Sequence, residues 1–202
     1  VGEDATDLEL LERYRRGDAR AMDRLVERHA GAVYAFARRM LGDGPGLDDL
    51  VQEVWLKVLR GTAAFDGRSR FTTWLFAVTR NACLDLARRR RRAPDGGGDE
   101  ARGASDVDGA MDPGPPVLDR VAKRELSAML EQAVSALPVE QREVFLLREQ
   151  TDMTFHEISA SLGVPRDTVK SRMRYAMAHV RRFLRDRLGL TVPTGEVPPR
   201  GL

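Results

Sequence analysis

At 202 residues and 42% hydrophobic content, the chain is long enough for one large domain or two small ones and apolar enough to bury cores. Its 33 basic and 31 acidic residues nearly balance, for a formal net charge of +2, and no run approaches the roughly 20 uninterrupted apolar residues that span a bilayer. The N-terminus, residues 1–10, is acidic and lacks the basic-then-apolar order of a secretory signal, so no membrane insertion is expected and the cytoplasm is the expected location.

The first elements are amphipathic helices over residues 8–16, 19–29 and 31–41, with Gly17 and the run 42–46 as breaks. Next, Leu47, Leu50, Val51, Val54, Trp55, Val58 and Leu59 recur at i, i+3, i+4 and i+7, which is one buried face of a helix. Phe71, Trp74, Leu75, Val78, Ala82 and Leu86 mark another helix, running toward the basic run 88–92. Within it Cys83, the single cysteine, has no disulfide partner and no Cys or His at metal-ligand spacing, and reads as a small core residue. His29, His156 and His179 are scattered and bring no nucleophile with them, so neither a catalytic constellation nor a metal or cofactor site is expected.

Between residues 93 and 120 six glycines and four prolines erase apolar periodicity, and seven acidic residues against Arg102 and Arg120 leave a net charge of minus five. This reads as a flexible acidic linker. It separates a domain at 1–92 from a second at 121–188, with a tail at 189–202. The second domain opens with a helix over 121–137 whose inward face is expected at Leu126, Leu130, Val134 and Leu137. Pro138 ends it, and a helix over 140–148 follows, closed by a polar break at Thr151 and Asp152. Nothing alternates as a strand does, so the fold class is all-α: two small helical domains on a flexible linker, the second containing a helix-turn-helix.

That motif spans residues 154–184. Thr154 followed by Glu157 fits a capping box, in which each side chain satisfies a free N–H at a helix start. The short helix stops at Gly163 and a second begins near Pro165. On the second helix Val169, Met173, Met177, Val180 and Leu184 form the expected buried stripe, while Arg166, Asp167, Lys170, Ser171 and Arg174 lie opposite. From 166 to 187 the charge is +6, a surface that seeks a polyanion. Such a helix can enter the major groove, where Arg and Lys donate to guanine O6 and N7. Thr154 and Arg172 suit phosphate positioning instead. The bland alternative is a solvated charged face on an ordinary helical hairpin.

Two separate blocks resemble the bacterial RNA polymerase sigma factors of the sigma-70 family, extracytoplasmic-function (ECF) type. In the second domain Leu137-Pro138-x-Glu140-Gln141-Arg142-Glu143-Val144-Phe145-Leu146-Leu147-Arg148, then Phe155-x-Glu157-Ile158-Ser159-x-x-Leu162-Gly163-Val164-Pro165-x-x-Thr168-Val169-Lys170-Ser171-Arg172, is similar to region four. In the first, Asp48-Asp49-Leu50-Val51-Gln52-Glu53-Val54-Trp55 and Phe71-x-Thr73-Trp74-Leu75-x-x-Val78-x-x-Asn81 resemble region two.

The resemblance implies that region two binds the clamp helices of core RNA polymerase and opens the −10 element. Region four would bind the flap and read the −35 element of promoter DNA as duplex. For core binding it points to Asp48, Asp49, Gln52, Glu53 and Leu56; plain capping of the helix start by these carboxylates is the alternative. For the −10 element it points to Phe65, Asp66, Arg68, Ser69, Arg70 and Asn81, since unstacked bases are held by stacking and by hydrogen bonds to their edges. Trp74 fits either a core position or a stacking platform, with core favoured. Arg80, Arg88 and Arg89 suit backbone phosphates, against a solvated helix end as the alternative. For the −35 element it points to Thr154, Arg166, Thr168, Lys170, Ser171, Arg172, Arg174 and Tyr175, the last two lying where members vary. The acidic linker is either an imitation of RNA in the polymerase's RNA path or a solubilising spacer. The family also implies an anti-sigma factor as partner.

Two rival readings belong to other classes. A free-standing helix-turn-helix regulator needs a dimerisation surface, and the first domain offers none that its sequence identifies. A nuclease needs carboxylates converging on a metal, whereas Asp48 and Asp49 are adjacent on a helix and point apart.

Overall fold

The computed structural model describes residues 5–61, 65, 67–92, 117–151 and 153–189, and these contain eight helices and no strand. The linker residues 93–116, the tail from 190 and Asp66 and Asp152 lie outside the described residues. The helices are α1 (Asp7–Arg15), α2 (Ala19–Leu41), α3 (Leu47–Gly61), α4 (Phe71–Arg92), α5 (Val117–Ser135), α6 (Val139–Thr151), α7 (Phe155–Leu162) and α8 (Arg166–Leu188).

In the N-terminal half α2, α3 and α4 pack against one another and α1 lies across α2. Thr6 and Glu9 form a capping box that starts α1. Asp7 then anchors it to α2, accepting from Arg28 at 2.7 Å and pairing with His29 at 2.9 Å. The expected break between residues 29 and 31 is absent: α2 is one helix through Gly31, whose Cα faces open space. A single mid-helix glycine costs only about 1 kcal/mol, and the seven buried residues along α2 outweigh that. Phe36 of α2 meets Phe76 of α4 edge-on at 5.4 Å between ring centroids, at the centre of this core.

In the C-terminal half α8 is the backbone of the packing and touches α5, α6 and α7. Helix α5 begins at Val117, inside the stretch read from sequence as linker, and ends at Ser135. Its expected inward face needs correction: Leu126 and Leu130 are 47% and 37% exposed, and the buried residues are Ala133, Val134 and, beyond the helix end, Leu137. Helix α6 extends through Thr151, which is buried rather than a polar break because its hydroxyl donates to the Leu147 carbonyl. On α8 the fully packed positions are Val169, Ala176 and Val180, while Met173, Met177 and Leu184 are only half-buried.

The halves also touch each other, α6 against α2 and α4, α5 against α2, and α7 against α4. Arg142 of α6 sits at this junction. Its guanidinium donates to the carbonyls of Val134 (3.2 Å), Leu137 (3.1 Å) and Ser135 at the end of α5, and to that of Met40 (2.9 Å) at the end of α2. One cation thus ties together carbonyls from two helix ends.

Candidate nucleic-acid interface

The helix-turn-helix is built as the local sequence requires. The Thr154 hydroxyl accepts from the Glu157 N–H at 3.2 Å, and the Glu157 carboxylate accepts from the Thr154 N–H at 2.7 Å and its hydroxyl at 2.8 Å. Gly163 ends α7 at φ 65°, a left-handed conformation that an L side chain adopts only with strain. The turn is tied across by the Ser159 hydroxyl donating to the Val164 carbonyl at 2.7 Å. Pro165 occupies the cap position, its carbonyl accepting from the N–H groups of Thr168 and Val169 at 2.9 and 3.2 Å, so α8 starts at Arg166.

On α8 Arg166, Lys170, Arg174 and Tyr175 are exposed, and Thr168, Ser171 and Arg172 are half-buried. Lys170 rests on Asp167 at 3.1 Å, an exposed pair that a guanine or a phosphate can displace. The Arg174 guanidinium lies 5.1 Å from the centre of the Tyr175 ring, which orients it away from the helix's buried stripe. The Ser171 hydroxyl donates to the Thr168 carbonyl at 2.9 Å and keeps its lone pairs for an incoming donor. These residues form one surface leading from the first turn of α8.

The N-terminal half presents two further surfaces. On α3 Asp48, Asp49, Gln52 and Leu56 are all exposed, with Leu56 at 44%, so acidic and amide side chains lead along the helix to an exposed leucine. Glu53 sits apart from them, half-buried and accepting from Lys57 at 2.9 Å and Arg89 at 3.4 Å. The Lys57 hydrogen bond, with the Arg89 bond and both positive charges behind it, outweighs a small desolvation cost and holds its carboxyl below the usual range.

Around the loop before α4, Arg68, Ser69 and Arg70 are exposed, and Asn81 is exposed on α4. Phe65 needs correction as a base-stacking residue. It is 5% exposed, held edge-on to Phe71 at 6.1 Å and tilted against Trp74 at 5.4 Å, so its ring belongs to the core. Trp74 shares that cluster, and a Cβ at Gly61 would lie 3.0 Å from its ring. Asp66 lies outside the described residues. Arg88 and Arg89, with Asp85 and Arg92, line an open basic cleft of about 380 Å³. Arg90, from the same run, turns inward to the carbonyl of Pro45 at 2.6 Å and is structural.

Arg70 and Arg80 meet the other half of the chain. Arg70 donates to Glu157 at 3.1 and 3.2 Å, and the Thr73 hydroxyl donates to the same carboxylate at 3.2 Å. Burial alone would raise the Glu157 carboxyl, but the Thr154 N–H and hydroxyl and the Arg70 guanidinium outweigh it and hold the carboxyl at about 2. Arg80 donates to Glu143 at 3.1 Å, and Glu143 is buried on the apolar side of α6. Sequence reasoning missed these carboxylate partners and Arg142. The one signal available was Glu143 itself, a charge at helical spacing with Leu146 and Leu147.

A helix-turn-helix with a basic second helix, joined to a helical half bearing an acidic–leucine face and a basic cleft, is the build of a DNA-binding protein. The comparisons narrow that class. Residues 25–93 match the Sigma-70 region 2 family, and residues 127–180 match the Sigma-70, region 4 family. The ECF RNA polymerase sigma factor SigM of Mycobacterium tuberculosis (strain ATCC 25618 / H37Rv) is 31% identical over 179 residues, covering 89% of this chain and 85% of that protein. The ECF RNA polymerase sigma-E factor of Escherichia coli (strain K12) is 29% identical, covering 86% and 91%. Among solved structures, CnrH in complex with the cytosolic domain of CnrY superposes with a TM-score of 0.63 at 26% identity, covering 91% of this chain and 99% of that one. The sigma factor RpoE of Bartonella quintana, solved with the anti-sigma factor NepR, shares the fold with a TM-score of 0.64 at 23% identity, covering 81% and 96%. The chain therefore belongs to the ECF RNA polymerase sigma factors, and its function is promoter-specific initiation of transcription with RNA polymerase.

Proposed function

We propose that the two halves act as separate promoter readers on one tether, the first domain at 1–92 and the second, whose first helix α5 starts at Val117, running to 188. The observation that carries the −35 assignment is the exposed face of α8, Arg166, Lys170, Arg174 and Tyr175, standing over a buried stripe and entered through a capped turn. Such a face sits in the major groove with base donors outward. Half-buried Arg172 and the exposed N-cap residue Thr154 contact phosphates, which set register and affinity.

The Leu56 face of α3 docks on the polymerase clamp helices through one apolar anchor preceded on the helix by Asp48, Asp49 and Gln52. Arg68, Ser69, Arg70 and Asn81 hold bases of the opened −10 strand, while Arg80, Arg88 and Arg89 hold its phosphates. The C-terminal half docks on the flap. The chain lends specificity and catalyses nothing itself. It works in the cytoplasm, and an anti-sigma factor restrains it by covering the polymerase-binding faces.

Lys170→Ala and Arg174→Ala test the −35 reading. Each is expected to relax preference at particular −35 bases and to cost about 1–3 kcal/mol there if the contact is bidentate. A loss spread evenly over all sequences would assign both residues to phosphates and overturn their role as base readers.

A further inference from the structure

Helix α1 lies outside the residues that match the region 2 family, yet it runs beside the backbone that leads to Arg68, Ser69 and Arg70. The guanidinium of Arg15, the last residue of α1, donates to the Phe65 carbonyl at 2.5 Å. Near the start of α1 the Leu8 side chain flanks Gly67, where a Cβ would stand 3.9 Å from Leu8 Cδ1. Gly67 has a φ of 71°, so the chain turns there in the left-handed region. The helix that reaches both points is firmly seated. Leu10 and Leu11 are fully buried, Asp7 holds Arg28 and His29 of α2, and Arg13 pairs with Asp18 at 2.6 Å. His29 in turn lies against the Phe71 ring, 5.7 Å between centroids.

Packing of the Phe65 ring against Phe71 and Trp74 fixes its Cα and Cβ but leaves ψ, and with it the direction in which the chain departs, free to rotate. A charged donor on the carbonyl removes that freedom, because rotating ψ swings the oxygen out of its hydrogen bond. We propose that Arg15 is a positioning residue for −10 recognition: by holding the Phe65 carbonyl it sets the path from which Arg68, Ser69 and Arg70 meet unstacked bases. The inference rests on the −10 reading of those three residues given above. Arg15 acts through the backbone and touches no base. Without it, affinity for the preferred bases falls by the fraction of time the loop spends in the base-holding shape, whereas strands held only through phosphates at Arg80, Arg88 and Arg89 keep theirs. A loop correctly shaped for about a tenth of the time therefore loses about tenfold in base discrimination.

The test uses the chain bound to core RNA polymerase, with a promoter library randomised at the −10 and −35 elements and transcript yields read by sequencing. Arg15→Met removes the guanidinium and keeps an apolar stem. Arg16→Met, the same change at the exposed neighbouring position, is the control. Ser69→Ala and Asn81→Ala alter residues assigned to the bases themselves. Hydrogen exchange at the amides of residues 67–70 in the free chain reports the loop directly.

Arg15→Met is expected to lower the yield ratio between preferred and disfavoured −10 sequences about tenfold, to keep the parent's −35 preference, and to speed exchange at residues 67–70. Arg16→Met is expected to do none of these. Discrimination or exchange unchanged by Arg15→Met, the same loss in Arg16→Met, or a loss falling evenly on every −10 sequence would overturn the positioning role. The even loss would make Arg15 a phosphate contact or a residue of the fold alone. Ser69→Ala and Asn81→Ala separate that failure from failure of the −10 reading. If they shift −10 preference and Arg15→Met does not, the positioning role alone is wrong; if none of the three shifts it, the −10 reading is wrong as well.

Discussion

Arg142→Met is expected to destabilise the folded chain by about 2–4 kcal/mol. Methionine keeps the apolar stem and removes the guanidinium that caps α5 and α2 together. Of the four carbonyls it serves, those of Val134, Leu137 and Met40 are part-buried, at 3.2, 3.1 and 2.9 Å, and that of Ser135 is exposed. Hydrogen bonds from a charged donor contribute about 1.5–3 kcal/mol each, so three would set an upper bound of about 9. The loss falls well short of that bound. The freed carbonyls near the surface rehydrate, bonds to one donor are not independent, and methionine avoids the desolvation that already lowers the Arg142 pKa. Urea unfolding followed by circular dichroism measures the difference. Arg142→Lys should recover less than half of the loss, because a single ammonium cannot span carbonyls from two helices as the planar fork does. A loss under about 1 kcal/mol for methionine, or full recovery by lysine, would refute the double-cap reasoning.

Two further predictions concern the helix-turn-helix. Gly163→Ala should cost about 1–2 kcal/mol from left-handed backbone strain alone, since an added Cβ there meets nothing within 4 Å, and Gly163→Asn should cost less; no loss in urea unfolding would contradict the left-handed turn. Glu157 is held at about 2 in the folded chain against an ordinary 4.5, so its contribution to stability is complete above the higher value and is lost as pH falls through the lower one. The stability advantage of the parent over Glu157→Gln should therefore shrink between about pH 5 and about pH 2. An advantage independent of pH over that range would show that the carboxylate charge is not what Thr154 and Arg70 stabilise.

The parts of the fold that were legible in the sequence are those written in local spacing. Thr154 and Glu157, three residues apart, specify a helix start, Gly163 specifies a left-handed stop, and the Leu50–Val54–Val58 stripe specifies a buried face. The misreadings arose where a distant element decides the outcome. Leu126 and Leu130 have the spacing of a core face, yet no helix among the described residues covers them fully, and their exposure of 47% and 37% follows from where α6 and α8 lie. Phe65 looks like a loop aromatic available for stacking, but Phe71 and Trp74 draw it inward. The Arg70–Glu157 and Arg80–Glu143 pairs join residues 87 and 63 positions apart, and no local pattern encodes which carboxylate a given arginine meets. For the same reason the interface residues could be named from motifs while their engagement with the opposite half could not.

The central claim is tested most directly by adding the purified chain to core RNA polymerase that lacks any sigma factor, with a library of promoter fragments, and sequencing the transcripts. The account predicts transcripts starting at a discrete set of promoters that share −35 and −10 elements, and loss of all of them when Leu56→Asp disrupts the α3 face. Absence of both core association and specific transcripts, or specific initiation undiminished by Leu56→Asp, would contradict it.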